Sequence, residues 1–257
     1  MPPFRTVATE FTSGGETLRG DFFVPPGDGP FPAVCELHGL PDAGKEAAPS
    51  LASAGFLVLT FDFRGFRRSE GIFRLSREIE DAHNAVTHLT QSKLSRKDWV
   101  GVYGASYGGA VAICSAARDR RTSCVCARAP VYDTLAFARS PLIQPAVDAL
   151  LKNDPEAMHG LTDPELRRQM VDWMVEDGAK FNPMNEVAKI APRPLLVLAG
   201  DADEGVDLAG IRRLFERARE PKELVIVAGA DHELTDPAVR ETAFGRVATW
   251  FRRQRPG

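Results

Sequence analysis

Six short, mainly apolar runs, at residues 33–37, 56–61, 99–103, 123–127, 195–198 and 224–227, constrain the fold of this chain more than any other feature. Runs of this kind suit strands whose two faces are both covered. Between them the spacing changes. Leu75, Ile79, Ala82, Val86 and Leu89 recur every three or four residues in an otherwise polar stretch, which is the stripe of an amphipathic helix. Residues 107–117, 211–218 and 237 to about 253 also read as helices. Strand alternating with helix predicts an α/β fold, a mostly parallel central sheet with helices on both faces. Upstream, residues 6–11 and 18–24 alternate apolar with polar side chains around Ser13-Gly14-Gly15-Glu16, which predicts an antiparallel hairpin at one edge of that sheet.

The rhythm stops between 133 and 187, where no strand candidate occurs. About 55 residues are too many for a plain loop in a compact domain. The segment carries Asp154-Pro155-Glu156 and Asp163-Pro164-Glu165, each with the form of a helix start in which Asp caps and Pro takes the first turn. An inserted helical cap over 133–187 is expected, with 1–132 and 188–257 forming one α/β core. Within the cap, Met170, Trp173 and Met174 form an apolar face that needs something to cover.

Composition narrows the function. A chain of 257 residues with 44% hydrophobic and 26% charged side chains can fill one core, which excludes disordered and fibrous classes. The formal charge of -3 supplies no positive field, so nucleic acid is an unfavoured partner. Met1-Pro2-Pro3-Phe4-Arg5 lacks the apolar core of a signal peptide, and no run approaches the ~20 apolar residues of a membrane span. A cytoplasmic location without membrane partners is the expectation. Cys35, Cys114, Cys124 and Cys126 lack metal-site or redox-pair spacing and read as buried, reduced thiols.

The chemistry concentrates at Gly104-Ala105-Ser106-Tyr107-Gly108, a Gly-x-Ser-x-Gly sequence between a buried strand and a helix. In that context it forms a sharp turn that lifts the serine hydroxyl above the sheet, and side chains at 104 and 108 would strike neighbouring backbone. A serine needs a base held by a third group. Of five histidines, His83 and His88 lie within an amphipathic helix and His159 lies in the cap. His232, in Gly229-Ala230-Asp231-His232 after the last strand, opens at the same carboxyl edge of the sheet as Ser106. The loop after residues 195–198 offers Asp201, Asp203 and Asp207 as the orienting acid, Asp207 also being placed to cap the next helix. His38-Gly39-Leu40-Pro41 follows another strand. The backbone N–H groups of Leu40 and Tyr107 would there hold an oxyanion, with His38 shaping the loop.

Taken in order, His38-Gly39, Gly104-Ala105-Ser106-Tyr107-Gly108, Gly200-Asp201-Ala202-Asp203 and Gly229-Ala230-Asp231-His232 resemble the α/β-hydrolase superfamily over nearly the whole chain. The resemblance implies the order Ser, acid, His and selects Asp203, because the acid commonly stands three residues after the glycine that ends its strand. Asp62-Phe63-Arg64-Gly65-Phe66-Arg67-Arg68-Ser69-Glu70-Gly71, followed by Glu78-Ile79-Glu80-Asp81-Ala82, is similar to the branch of bacterial carboxylesterases, cinnamoyl or feruloyl esterases and serine aminopeptidase-like hydrolases. Arg67 departs from the glycine that branch often has. The serine separates the chain from dienelactone hydrolases, which use cysteine, and from haloalkane dehalogenases, which use aspartate. The implied activity is cleavage of a small to medium ester through an acyl-enzyme by Ser106, His232 and Asp203, without cofactor or metal. Acyl transfer, thioester, peptide or carbon-carbon cleavage by the same groups, and binding without catalysis, are the competing readings. His38, Phe137, Met170, Trp173 and Met174 are the candidates for contact with substrate, and Leu142, Ile143 and Met158 of the cap are further residues that could line an acyl pocket.

Overall fold

The computed structural model describes residues 4–40 and 47–255. In chain order the elements are β1 (Arg5–Ser13), β2 (Glu16–Val24), β3 (Phe31–Leu37), α1 (Ala48–Ser53), β4 (Leu57–Phe61), α2 (Leu75–Gln91), β5 (Ser95–Ala105), α3 (Tyr107–Ala116) and β6 (Thr122–Arg128). Then follow α4 (Thr134–Ala138), α5 (Ile143–Asn153), α6 (Pro164–Lys180), α7 (Pro183–Glu186), β7 (Leu195–Gly200), α8 (Leu208–Arg217), β8 (Lys222–Val227) and α9 (Pro237–Gln254). The strands form one eight-stranded sheet in the order β1-β2-β4-β3-β5-β6-β7-β8. β1 and β2 are antiparallel, β2 is antiparallel to β4, and every later pairing is parallel.

The apolar runs become strands because both sheet faces are covered. Cys35, Leu59, Val102, Val125 and Val197 point toward α2, α3 and α8, whose stripes contribute Ile79, Val111 and Ile211. Val34, Val58, Tyr103, Cys126 and Leu198 point the other way, onto α1 and α9 through Leu51, Phe244 and Phe251. Alternation across a strand thus feeds two separate apolar layers. All four cysteines are free and buried in these layers, where desolvation pushes each thiol above its ordinary range. The hairpin turns at Gly14 and Gly15, both with positive φ (58° and 89°), the geometry of the tight turn that matches strand twist.

Between β6 and β7 the chain runs only through helices. Asp163 caps α6 by accepting the Glu165 N–H at 2.8 Å, as its sequence form requires. Asp154 behaves differently from expectation. It ends α5 rather than starting a helix, and its carboxylate pairs with Arg67. Pro155 bars its predecessor from helical dihedrals, and the residues beyond are claimed by tertiary contacts. Met158 bridges to Phe66 and the His159 N–H donates to the Gly65 carbonyl at 2.8 Å. Arg67 itself adopts the left-handed conformation (φ 47°) that glycine would have supplied, and its carbonyl accepts from His159 Nε2 at 2.9 Å. Among the described residues no helix is long and apolar enough to cross a membrane.

Candidate active site

Ser106 stands between β5 and α3 with φ 53° and ψ -118°, a strained conformation for a residue with a side chain. The turn closes because Gly104 and Gly108 lack side chains. A Cβ on Gly104 would lie 2.2 Å from the Gly108 carbonyl oxygen, and one on Gly108 would lie 2.3 Å from that of Leu37 and 2.4 Å from that of His38. The first turn of α3 therefore rests directly on the backbone of the loop after β3. Tyr107 takes the first position of α3, where a helix N–H has no acceptor within its own helix.

His232, in the loop after β8, reaches the serine from the sheet's carboxyl edge. Its Nε2 lies 3.0 Å from Ser106 Oγ and its Nδ1 lies 2.9 Å from Asp203 Oδ2. The other carboxylate oxygen of Asp203 accepts the N–H groups of Gly205 and Val206, each at 2.8 Å. Burial alone would raise the Asp203 carboxyl, but the bonds from His232, Val206 and Gly205 outweigh it and hold the group below its ordinary range. An ionised Asp203 accepts from Nδ1–H, which leaves Nε2 unprotonated and facing the hydroxyl. The two competing acids do other work. Asp201 Oδ1 accepts the Gly229 N–H at 2.6 Å, and Asp207 caps α8 through the Gly210 N–H at 2.7 Å.

An apolar cavity of about 300 Å³ adjoins this row of groups. Leu40, Phe73 and Gly205 form its core side, while Phe137, Met158, Met170 and Met174 and the Ile143, Val147 and Leu150 stripe of α5 form the other. Among the described residues its lining holds no charged side chain. Val147 and Leu150 of α5 and Phe73 join the expected Leu142, Ile143 and Met158 in this wall; the sequence did not mark them, although the spacing of Val147 and Leu150 from Ile143 was a readable signal.

Two expected substrate contacts lie elsewhere. Trp173 is not part of the cavity wall; the Arg74 guanidinium lies 5.7 Å from its ring centroid, so the ring packs where α6 meets the start of α2. The neighbouring Asp177, 1% exposed, accepts from Arg74 Nε at 2.9 Å and from the Ser76 N–H at 3.0 Å, fastening the same joint. His38 is buried and committed at both nitrogens. Nδ1 donates to the Gly39 carbonyl at 2.7 Å and Nε2 accepts the Phe63 N–H at 3.0 Å, with Phe63 and Phe66 around the ring. The Asp62-Phe63-Arg64-Gly65 sequence thus supports the loop after β3, and Arg64 is anchored in turn by Asp81 on α2. His88 stacks on Phe11 and Phe22, and His83 contacts Asp119, both remote from Ser106 along α2.

A mostly parallel sheet bearing Ser106, Asp203 and His232 on the carboxyl-edge loops after β5, β7 and β8 defines an α/β-hydrolase. Residues 45–255 match the prolyl oligopeptidase family (Peptidase S9), and the chain belongs to that family. It is 26% identical to the polyketide transferase GrgF of a Penicillium species, an alignment covering 95% of this chain and 93% of that protein. The crystal structure of GrgF superposes with a TM-score of 0.72 over 97% of this chain and 96% of that one. A thiohydrolase of Aspergillus aculeatus, AneE, is 33% identical over 57% of this chain and 47% of its own length. Est1E of Butyrivibrio proteoclasticus, solved with ferulic acid bound, shares the fold at a TM-score of 0.77 and 17% identity, covering 96% of this chain and 98% of that one.

Proposed function

We propose that the protein is a serine hydrolase that cleaves a carboxylic ester with an uncharged, apolar acyl group of small to medium size. The observation that carries this reading is the unbroken row Asp203, His232, Ser106 at the edge of an apolar cavity. Ser106 Oγ attacks the ester carbonyl carbon as His232 Nε2 takes its proton. Asp203 holds the imidazole in the accepting tautomer and stabilises the imidazolium. The negative charge on the carbonyl oxygen is received by the N–H groups of Tyr107 and Leu40. On collapse the imidazolium returns the proton to the departing alcohol oxygen, leaving an ester on Ser106. Water, deprotonated by His232, then repeats the sequence and releases the acid. Residues 133–187 act as a cap that contributes the outer wall of the cavity and selects the acyl group, without supplying the chemistry.

A second reading keeps the acyl-enzyme and changes the bond or the acceptor, to a thioester or to acyl transfer. That GrgF is a polyketide transferase and AneE a thiohydrolase favours it. Both readings require Ser106. The test is covalent labelling by a fluorophosphonate together with turnover of p-nitrophenyl and thioester substrates from acetyl to decanoyl, with and without an added alcohol. Ser106→Ala should lose labelling and about 10⁴-fold or more of turnover. A folded Ser106→Ala variant that keeps a tenth of wild-type turnover would sink both. Product partitioning onto the alcohol rather than water decides between hydrolysis and transfer.

A further inference from the structure

We propose that Arg128 is a positioning residue that sets the separation of Ser106 and His232, an inference that rests on the reading of those two as the reacting pair. Arg128 is the last residue of β6 and is 2% exposed. Its main chain and its side chain hold different halves of the site. The Arg128 carbonyl accepts the Ser106 N–H at 2.9 Å, fixing the strained turn to the neighbouring strand. Its guanidinium Nη1 donates to the main-chain carbonyl of His232 at 2.7 Å, and Nε donates to the Tyr103 hydroxyl at 3.2 Å. The residues that follow tighten the same point. The Ala129 N–H donates to the Leu198 carbonyl of β7 at 2.7 Å, and the Val131 N–H donates to the Ser106 carbonyl at 3.0 Å.

The topology explains why a long cationic side chain serves here. His232 follows β8, and both β6 and β7 lie between β8 and β5 in the sheet, so ladder hydrogen bonds cannot join the histidine loop to the strand that leads into Ser106. The loop's own bonds, such as Leu234 N–H to the Asp231 carbonyl and Thr235 N–H to the Asp231 carboxylate, preserve its shape without tying it to β6. A guanidinium spans the gap. Its planar fork is oriented by Tyr103 at one nitrogen while another meets the carbonyl, and a charged donor in a buried setting makes a strong bond.

Proton transfer needs Nε2 and Oγ within about 2.6 to 3.2 Å. If the tie is lost, the histidine loop drifts relative to the serine. The cavity is made by other residues, so substrate still binds. The signature is a fall in kcat without a matching change in KM. The experiment compares wild type, Arg128→Met, Arg128→Lys, Tyr103→Phe and Ser106→Ala by steady-state hydrolysis of an activated aryl ester, fluorophosphonate inactivation rate and melting temperature. Arg128→Met should lower kcat and the inactivation rate together by about 10²-fold, the cost of a displacement near 1 Å, with KM within about twofold. Arg128→Lys, able to reach one acceptor, should regain about 10-fold of that loss. A folded Arg128→Met variant with kcat within about threefold of wild type overturns the proposal, as does equal loss in Met and Lys variants with a rising KM. Should Arg128→Met fail to fold, Tyr103→Phe decides: a several-fold lower kcat at unchanged KM supports the proposal, and wild-type kcat overturns it. Turnover surviving in Ser106→Ala would instead overturn the reading of the site itself, and the role of Arg128 with it.

Discussion

Replacing Gly108 by alanine adds one methyl group at the point where the elbow helix meets the loop after β3. That methyl would sit 2.3 Å from the Leu37 carbonyl oxygen, 2.4 Å from the His38 oxygen and 2.7 Å from the His38 carbonyl carbon, where an ordinary contact begins at 3.4 Å. All three are backbone atoms, so no side chain can rotate away. Either the loop or α3 must retreat by roughly 1 Å. His38 resists the retreat of the loop because its ring is bonded to the Phe63 N–H at 3.0 Å. The retreat separates Leu40 from Tyr107, the two proposed oxyanion donors. Losing one such donor costs about 10²- to 10³-fold in kcat, or about 2.7 to 4 kcal/mol, and overpacking costs about 1 to 3 kcal/mol of stability. Gly245→Ala is the matched control, since a Cβ there meets nothing within 4 Å and lies inside α9; it should keep full activity and gain up to about 1 kcal/mol. The assay is kcat/KM on an activated aryl ester beside thermal unfolding. A folded Gly108→Ala variant within about threefold of wild-type kcat/KM would refute the placement of the oxyanion site.

Asp203→Asn should lower kcat by about 10⁴-fold, because an amide can hold the wrong imidazole tautomer, whereas Asp201→Asn, which touches only the Gly229 turn, should stay within several-fold in the same ester assay. Met174→Ala should change the ratio of kcat/KM between long and short acyl esters by about 10-fold, while Trp173→Ala, packed on Arg74 outside the cavity, should leave that ratio alone and lower only the melting temperature. Glu78 is buried with no hydrogen-bond partner among the described residues, and burial, reinforced by Asp81 and Asp177 and opposed by Arg64, holds its carboxyl well above the ordinary range. The folded state then keeps a proton that the unfolded chain releases above about pH 4.3, so stability should fall by up to about 1.4 kcal/mol per pH unit from there toward the raised folded value. Glu78→Gln removes that titration, and its melting temperature should decline less than that of wild type between pH 5 and pH 7; parallel declines would contradict the neutral carboxyl.

The alternation of buried strands and amphipathic helices was legible in the chain because each pattern is set by local geometry, a period of two or of 3.6 residues. The elbow was legible for the same reason: Gly104 and Gly108 bracket Ser106 at a spacing that only a tight strand-to-helix turn explains. His232 and Asp203 could be placed at the correct edge because parallel strands deliver their following loops to one side. Other features were decided by contacts between distant segments. Asp154-Pro155 and Asp163-Pro164 look alike in sequence, yet only the second starts a helix, because Met158 and His159 are drawn onto the Phe66 and Gly65 backbone. Trp173 and Met174 are adjacent in α6, and helical rotation sends one to Arg74 and the other to the cavity. Arg128 carries no motif at all. Its placement follows from a carbonyl brought over 104 positions along the chain to meet its guanidinium, a meeting that no local pattern encodes and that the packing of the sheet alone determines.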